Sequence, residues 1–174
     1  MLPPNLYLMA GERAHIGRRM HTLIVQSALA GPVRVLIGGN RFDLYSIAYA
    51  LAAQVGDRFY HILENHITLS RAEICPQIVE LLLETETRPI TTLVTDFLTP
   101  FYDDGFPDSE VDNLLFDSIL ELRRLSAQAP VIVSAHPAPP RLRLFHALER
   151  AADEAFPLPP PQPQAPSFHQ PAFT

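Results

Sequence analysis

Arginine is the residue in this sequence best placed to handle anions, because its planar guanidinium offers a fixed fork of donors that matches phosphate and carboxylate oxygens. Arg13, Arg18 and Arg19 cluster near the start, and Arg123, Arg124, Arg141 and Arg143 form a later group. Such clusters read either as an anion or nucleic-acid patch or as a solvated helix face. Two further groups could act on a bound ligand. Asp96 ends the apolar run Ile90 to Asp96, and His136 follows the run Val131–Ile132–Val133 after Ser134 and Ala135. At the end of a strand, Asp96 either faces a ligand or satisfies a loop N–H, while His136 reads as a turn histidine or a sensor of a ligand. Cys75 is the single cysteine, so neither an intramolecular disulfide nor a cysteine-based zinc site can form.

The formal net charge of −6 opposes a broad nucleic-acid footprint, since nonspecific affinity comes from basic side chains neutralising phosphates. DNA binding is therefore expected to be weak or absent, and any patch would be a local one at Arg13, Arg18 and Arg19. With 47% hydrophobic and 18% charged residues, the 174-residue chain has enough apolar content to close one core. Its opening lacks the basic-then-apolar plan of a secretory signal, and Gln26, Pro32 and Arg34 interrupt the stretch from Leu23 to Ile37. A cytoplasmic protein without a membrane partner is the expectation.

Positioning these side chains falls to alternating apolar runs and helix-periodic segments, the pattern of a parallel sheet covered by helices. Strands are expected at Leu6–Met9, Val33–Ile37, Tyr60–Leu63, Ile90–Asp96 and Val131–Val133. Helices are expected from Gly17 to Ala30, from Leu44 to Val55 with Asp43 as N-cap and Gly56 as C-cap, and from Arg141 to Ala155. Two capping boxes, Ser70–Glu73 and Ser109–Asp112, open the remaining helices. The fold class is α/β in three layers, with a mostly parallel central sheet and helices on both faces. Residues 1–156 form the domain. Residues 157–174, rich in proline, read as an extended tail that could also offer a polyproline ligand.

Four phrases in this order resemble the RecA/RadA recombinase family, including its paralogue branch and, more distantly, the circadian-clock ATPases. They are Val33 to Asp43, then Leu63 to Ala72 followed by Gln77, then Thr92 to Asp96, and last Val131 to His136. The resemblance spans roughly Leu6 to His136. It implies a RecA-like P-loop core in which Asp96 holds the Walker B position near magnesium and His136 the place of a γ-phosphate sensor. It also implies a RecA-like recombinase or another repair protein as partner.

Under that resemblance the phosphate loop falls on Gly11, Glu12, Arg13, Ala14, His15, Ile16, Gly17, Arg18 and Arg19. A working loop needs G-x-x-x-x-G-K-[ST], so that backbone N–H groups curl around the phosphates, lysine reaches the β and γ groups and a hydroxyl binds magnesium. With Gly17 as the second glycine, the first falls on Glu12, Arg18 replaces the lysine and Arg19 replaces the hydroxyl. The catalytic glutamate expected after the second strand is missing from Gly38–Gly39–Asn40, and Asp43 reads as a helix cap rather than a general base. The loop after Asp96, Phe101 to Asp108, is acidic where the recombinases contact DNA. A pseudo-ATPase is therefore expected, acting as an accessory or regulatory module in recombination and repair. No cofactor is expected, and ATP with magnesium is the pair to test. The rival readings are a weak ATPase using Arg18 and Asp96, and a nucleic-acid accessory using Arg13, Arg18 and Arg19.

Overall fold

A computed structural model describes residues 2–159. Apolar runs without alternation are buried on both sides, as interior strands of a parallel sheet must be. Strands β1 (Leu6–Ala10) and β5 (Val131–Ala135) are buried at every position, and β2 (Val33–Gly38) and β4 (Thr91–Thr95) at all but one. With β3 (Ile67–Ala72) and β6 (Glu154–Pro157) they form one six-stranded sheet in the order β3-β2-β4-β5-β1-β6. Every pairing is parallel.

Parallel neighbours need crossovers, and the right-handed rule places leftward and rightward crossovers on opposite faces. Helices α1 (Arg13–Ala30), α2 (Leu44–Val55) and α3 (Phe59–His66) cover one face. Their core includes Ile16, Met20, Ile24, Ile47, Leu51 and Ile62, packed on Val33, Val35, Leu93 and Ile132. Helices α4 (Cys75–Glu84), α5 (Asp108–Ser126) and α6 (Leu142–Ala151) cover the other. There Ile78, Leu82, Leu115, Leu122, Leu144 and Leu148 meet Leu6, Leu8, Leu36 and Val133. The α/β class, the parallel sheet and the two helical layers match the expectation from sequence.

Several local expectations are corrected. Tyr60–Leu63 is helical, not a strand, because Phe59, Ile62, Leu63 and His66 recur at helical spacing and Ile62 enters the core. The strand follows at Ile67–Ala72, where an edge position leaves only the two end residues buried and hides its apolar signal. Ser70 therefore lies inside β3 and caps nothing. Helix α4 instead starts at Cys75, where Gln77 Oε1 accepts from the Glu73 N–H (2.9 Å) and the Ile74 N–H (3.4 Å). Helix α5 begins at Asp108 after Pro107, one residue ahead of the Ser109 box. Helix α1 begins at Arg13, well before Gly17, and α6 stops at Ala151.

Strand β6 is the element that sequence reading missed. Its four residues are all exposed and include a proline, so no burial pattern marks them. Backbone pairing to β1 and the Asp153 staple hold it in place. Asp153 Oδ2 accepts from the Leu6 N–H at 2.8 Å, and the Asp153 N–H donates to the Leu6 carbonyl at 2.8 Å. Ordered pairing thus runs past residue 156, with the Leu158 N–H donating to the Ala10 carbonyl at 2.7 Å. The proline-rich stretch from residue 160 lies outside the described residues.

Candidate functional site at the carboxyl ends of the strands

Open parallel sheets form ligand crevices outside the carboxyl ends of neighbouring strands whose crossovers leave to opposite faces. Here β1 and β5 are such a pair, and so are β2 and β4. Four strand ends meet there, carrying Gly11, Gly38–Gly39, Asp96 and His136.

Only Gly11 and Glu12 separate β1 from α1. The Glu12 carbonyl accepts from both the His15 and Ile16 N–H groups at 3.0 Å, so those amides turn into the helix. Glu12 is the N-cap without a side-chain cap bond, and its carboxylate is exposed. Ala14 is exposed, while Ile16 is fully buried in the core beneath the sheet's first helical layer. Gly17, Arg18 and Arg19 lie within α1, all three on its exposed side. The segment aligned with a phosphate loop is thus a two-residue turn followed by continuous helix.

Arg13 is the member of that segment that turns into the crevice. Its Nη2 donates to Thr99 Oγ1 at 2.5 Å, and its Nε stands 3.6 Å from Asp96 Oδ1. The second distance is too long for a hydrogen bond but close enough for ion pairing. Asp96 is mostly buried and has a left-handed backbone, φ 51°, a conformation rare outside glycine that aspartate tolerates better than most. Three bonds fix that kink. The Asp96 N–H donates to Ser134 Oγ, the Phe97 N–H to the Ser134 carbonyl and the Thr99 N–H to the Asp96 carbonyl, each at 3.0 Å. Glycine at 38 is required by the same kink, since a Cβ there would lie 2.4 Å from the Asp96 carbonyl oxygen.

His136 completes the cluster from β5. Burial lowers its pKa first and the Arg13 cation lowers it further, against an opposing pull from Asp96. Its Nδ1 is buried without a hydrogen-bond partner among the described residues, as is His15 Nδ1. The Tyr102 ring meets the His136 ring edge-on, with centroids 5.4 Å apart, and the Tyr102 hydroxyl donates to the His136 carbonyl at 2.6 Å. Burial pushes the Tyr102 pKa up to about 12. The cluster can hold a small polar group through a fixed cation and a neutral imidazole. Of the hydroxyls around it, Thr99 Oγ1 accepts from Arg13, Ser134 Oγ accepts from the Asp96 N–H and the Tyr102 hydroxyl donates to the His136 carbonyl.

The remaining candidates separate. Asp43 is the N-cap of α2, accepting from the Ser46 N–H at 3.2 Å, so its role is structural as expected. Arg141 is buried, and its guanidinium organises the acidic loop. Nη1 donates to the Phe101 carbonyl (2.7 Å) and the Asp103 carbonyl (2.6 Å), Nη2 to the Phe106 carbonyl (2.8 Å) and Nε to Asp108 Oδ1 (3.1 Å). Arg124 caps the end of α4, donating to the Leu82 and Thr85 carbonyls at 2.9 and 3.0 Å. Arg141 is thus buried, and Arg124 is partly exposed but tied to backbone carbonyls. Thr99, Tyr102 and Ser134 belong to the site without having been singled out, since hydroxyls beside strand ends carry no motif. Among the described residues no group of three or more His, Cys, Asp or Glu side chains could hold a metal ion, and no helix is long and apolar enough to cross a membrane. No protein-family model matches the chain, and no curated protein does so at a significant level.

Proposed function

We propose that this chain is a RecA/RadA-like pseudo-ATPase, an accessory or regulatory binding module for recombination and repair that does not hydrolyse ATP. The pairing of Arg13 with Asp96 carries the inactive half of this reading. A magnesium ion at Asp96 would have to displace a guanidinium already held by Thr99, and the two cations would repel each other at close range. ATP and magnesium therefore do not fit the residues present. The two residues between β1 and α1 are too few for the loop that wraps a phosphate in G-x-x-x-x-G-K-[ST], and the sequence has no lysine on any element to replace the missing one.

The family half rests on the resemblance, and the order of elements supports it. The Arg71–Ala72 pair ends β3 and leads to the helix bearing Gln77, and Asp96 directly follows β4. A recombinase-type partner follows from that likeness alone.

Titration with a fluorescent ATP analogue and magnesium, with phosphate release followed in parallel, tests the inactive half. No turnover above background is expected from the wild-type chain or from Asp96→Ala. Saturable turnover that disappears in Asp96→Ala would overturn it. The partner half is tested by adding the chain in excess to a RecA-type recombinase and measuring the ATP turnover of that enzyme. A dose-dependent change is expected, and an unchanged rate at saturation would remove the partner assignment.

A further inference from the structure

A cleft of about 350 Å³ opens at the other end of the sheet from the crevice, beside the starts of β2 and β3. Arg34 reaches it because alternation along β2 sends Val33 and Val35 into the α1–α3 core and leaves Arg34 on the α4 side with Leu36. The register sets Thr68 beside Arg34 and Ser70 beside Leu36, so their hydroxyls share that face. Leu81 and Glu84, in the last turn of α4, line the cleft from the helix.

The arginines around this cleft differ in one respect. Arg88 bridges Glu86, and Arg124 bridges Glu121 at 2.6 Å. Arg34 is half-buried, pairs with no carboxylate among the described residues and makes one long hydrogen bond, 3.5 Å from Nη1 to Thr92 Oγ1. Burial lowers its pKa first and Arg88 next, with Arg124 adding to them and Glu86 opposing. A guanidinium withdrawn from water and crowded by cations is stabilised by an anion, and its planar fork matches the two oxygens of a carboxylate. Glu84 supplies the other sign. It is exposed, takes part in no ion pair among the described residues, and lines the same cleft without meeting Arg34. A ligand that satisfies both must carry a carboxylate and a cation on one small body.

We infer that this cleft binds a free amino acid, its carboxylate on Arg34 and the hydroxyls of Thr68 and Ser70, its ammonium on Glu84 and its side chain against Leu81. Arg34, Thr68 and Thr92 are each the second residue of their strands, so the site is separate from the crevice at the carboxyl ends. The inference does not rest on the proposed function.

The test follows the backbone amides of the full chain by NMR while each standard amino acid is titrated into the tens-of-millimolar range. At least one is expected to give saturable shifts centred on Arg34, Thr68, Ser70 and Glu84. Its N-acetyl and carboxamide derivatives, which each lack one charge, should bind about tenfold more weakly. Glu84→Gln, at an exposed position that the core does not use, and Arg34→Gln should each weaken binding by a similar factor, and Arg34→Lys should recover part of it. No saturable shift with any amino acid would overturn the inference. So would either derivative binding as tightly as its parent, which would reduce the cleft to a site for one charge, or binding that survives Glu84→Gln unchanged.

Discussion

At the scale of single residues, arginines with the same appearance in sequence do different work. Arg18 and Arg19 are exposed on α1, whereas Arg141 fixes a loop from inside. Arg141→Met should lower unfolding free energy by about 2–4 kcal/mol in urea denaturation, because several loop carbonyls lose a charged donor. A change near zero would show that the loop finds its partners in water. His136 gives a prediction in pH. The fold favours its neutral form, so the unfolded chain takes up a proton first, near 6.5, and binds more protons below that point. The stability linked to His136 is complete above about 6.5 and is lost as pH falls toward the lower native value. Denaturation midpoints measured through that window should fall less steeply in His136→Gln, and parallel curves would rule the histidine out. Asp96 and His136 were legible in sequence as polar groups closing apolar runs. Arg13 was also picked out, as part of an anion patch, but its pairing with Asp96 was not legible, because the ion pair joins positions far apart in the chain that only the sheet brings together.

At the scale of elements, interior strands were readable and edges were not. Apolar runs such as Leu6–Ala10 and Val131–Ala135 carry their own signal, and Asp43 and Gly56 bracket α2 as their chemistry suggests. Strands β3 and β6 hide theirs because one side or both face water, so Tyr60–Leu63 drew the strand assignment that belonged to Ile67–Ala72. The start of α1 was displaced for another reason. Gly17 suggested a loop, yet it is an ordinary helical residue on an open surface, and a Cβ added there would meet nothing within 4 Å. Gly17→Ala should therefore stabilise the protein by about 0.5–1 kcal/mol, since alanine loses less backbone entropy in a helix. Thermal unfolding measures this directly, and a loss of stability would mean that the glycine is needed for a conformation other than helix.

At the scale of the molecule, the layers and the parallel sheet followed from the alternation of elements, whereas the crossing of β6 beside β1 depended on long-range pairing that no local pattern encodes. The net charge of −6, with the acidic loop held by Arg141, leaves Arg18 and Arg19 as a small positive spot on an acidic body. Gel shifts with duplex DNA should show at most faint retention at low salt, removed by Arg18→Ala/Arg19→Ala and by moderate salt. Retention that persists as salt rises would contradict that charge balance.

Leu158 lies directly against the turn after β1. A Cβ on Gly11 would stand 3.2 Å from the Leu158 carbonyl oxygen and 3.3 Å from its Cβ, and Leu158 is anchored there by its bond to Ala10. Widening that turn to admit an anion would therefore mean unzipping the outermost strand first. The end of the sheet and the mouth of the crevice are mechanically one part, so whatever pulls on residues beyond 159 also pulls on the entrance.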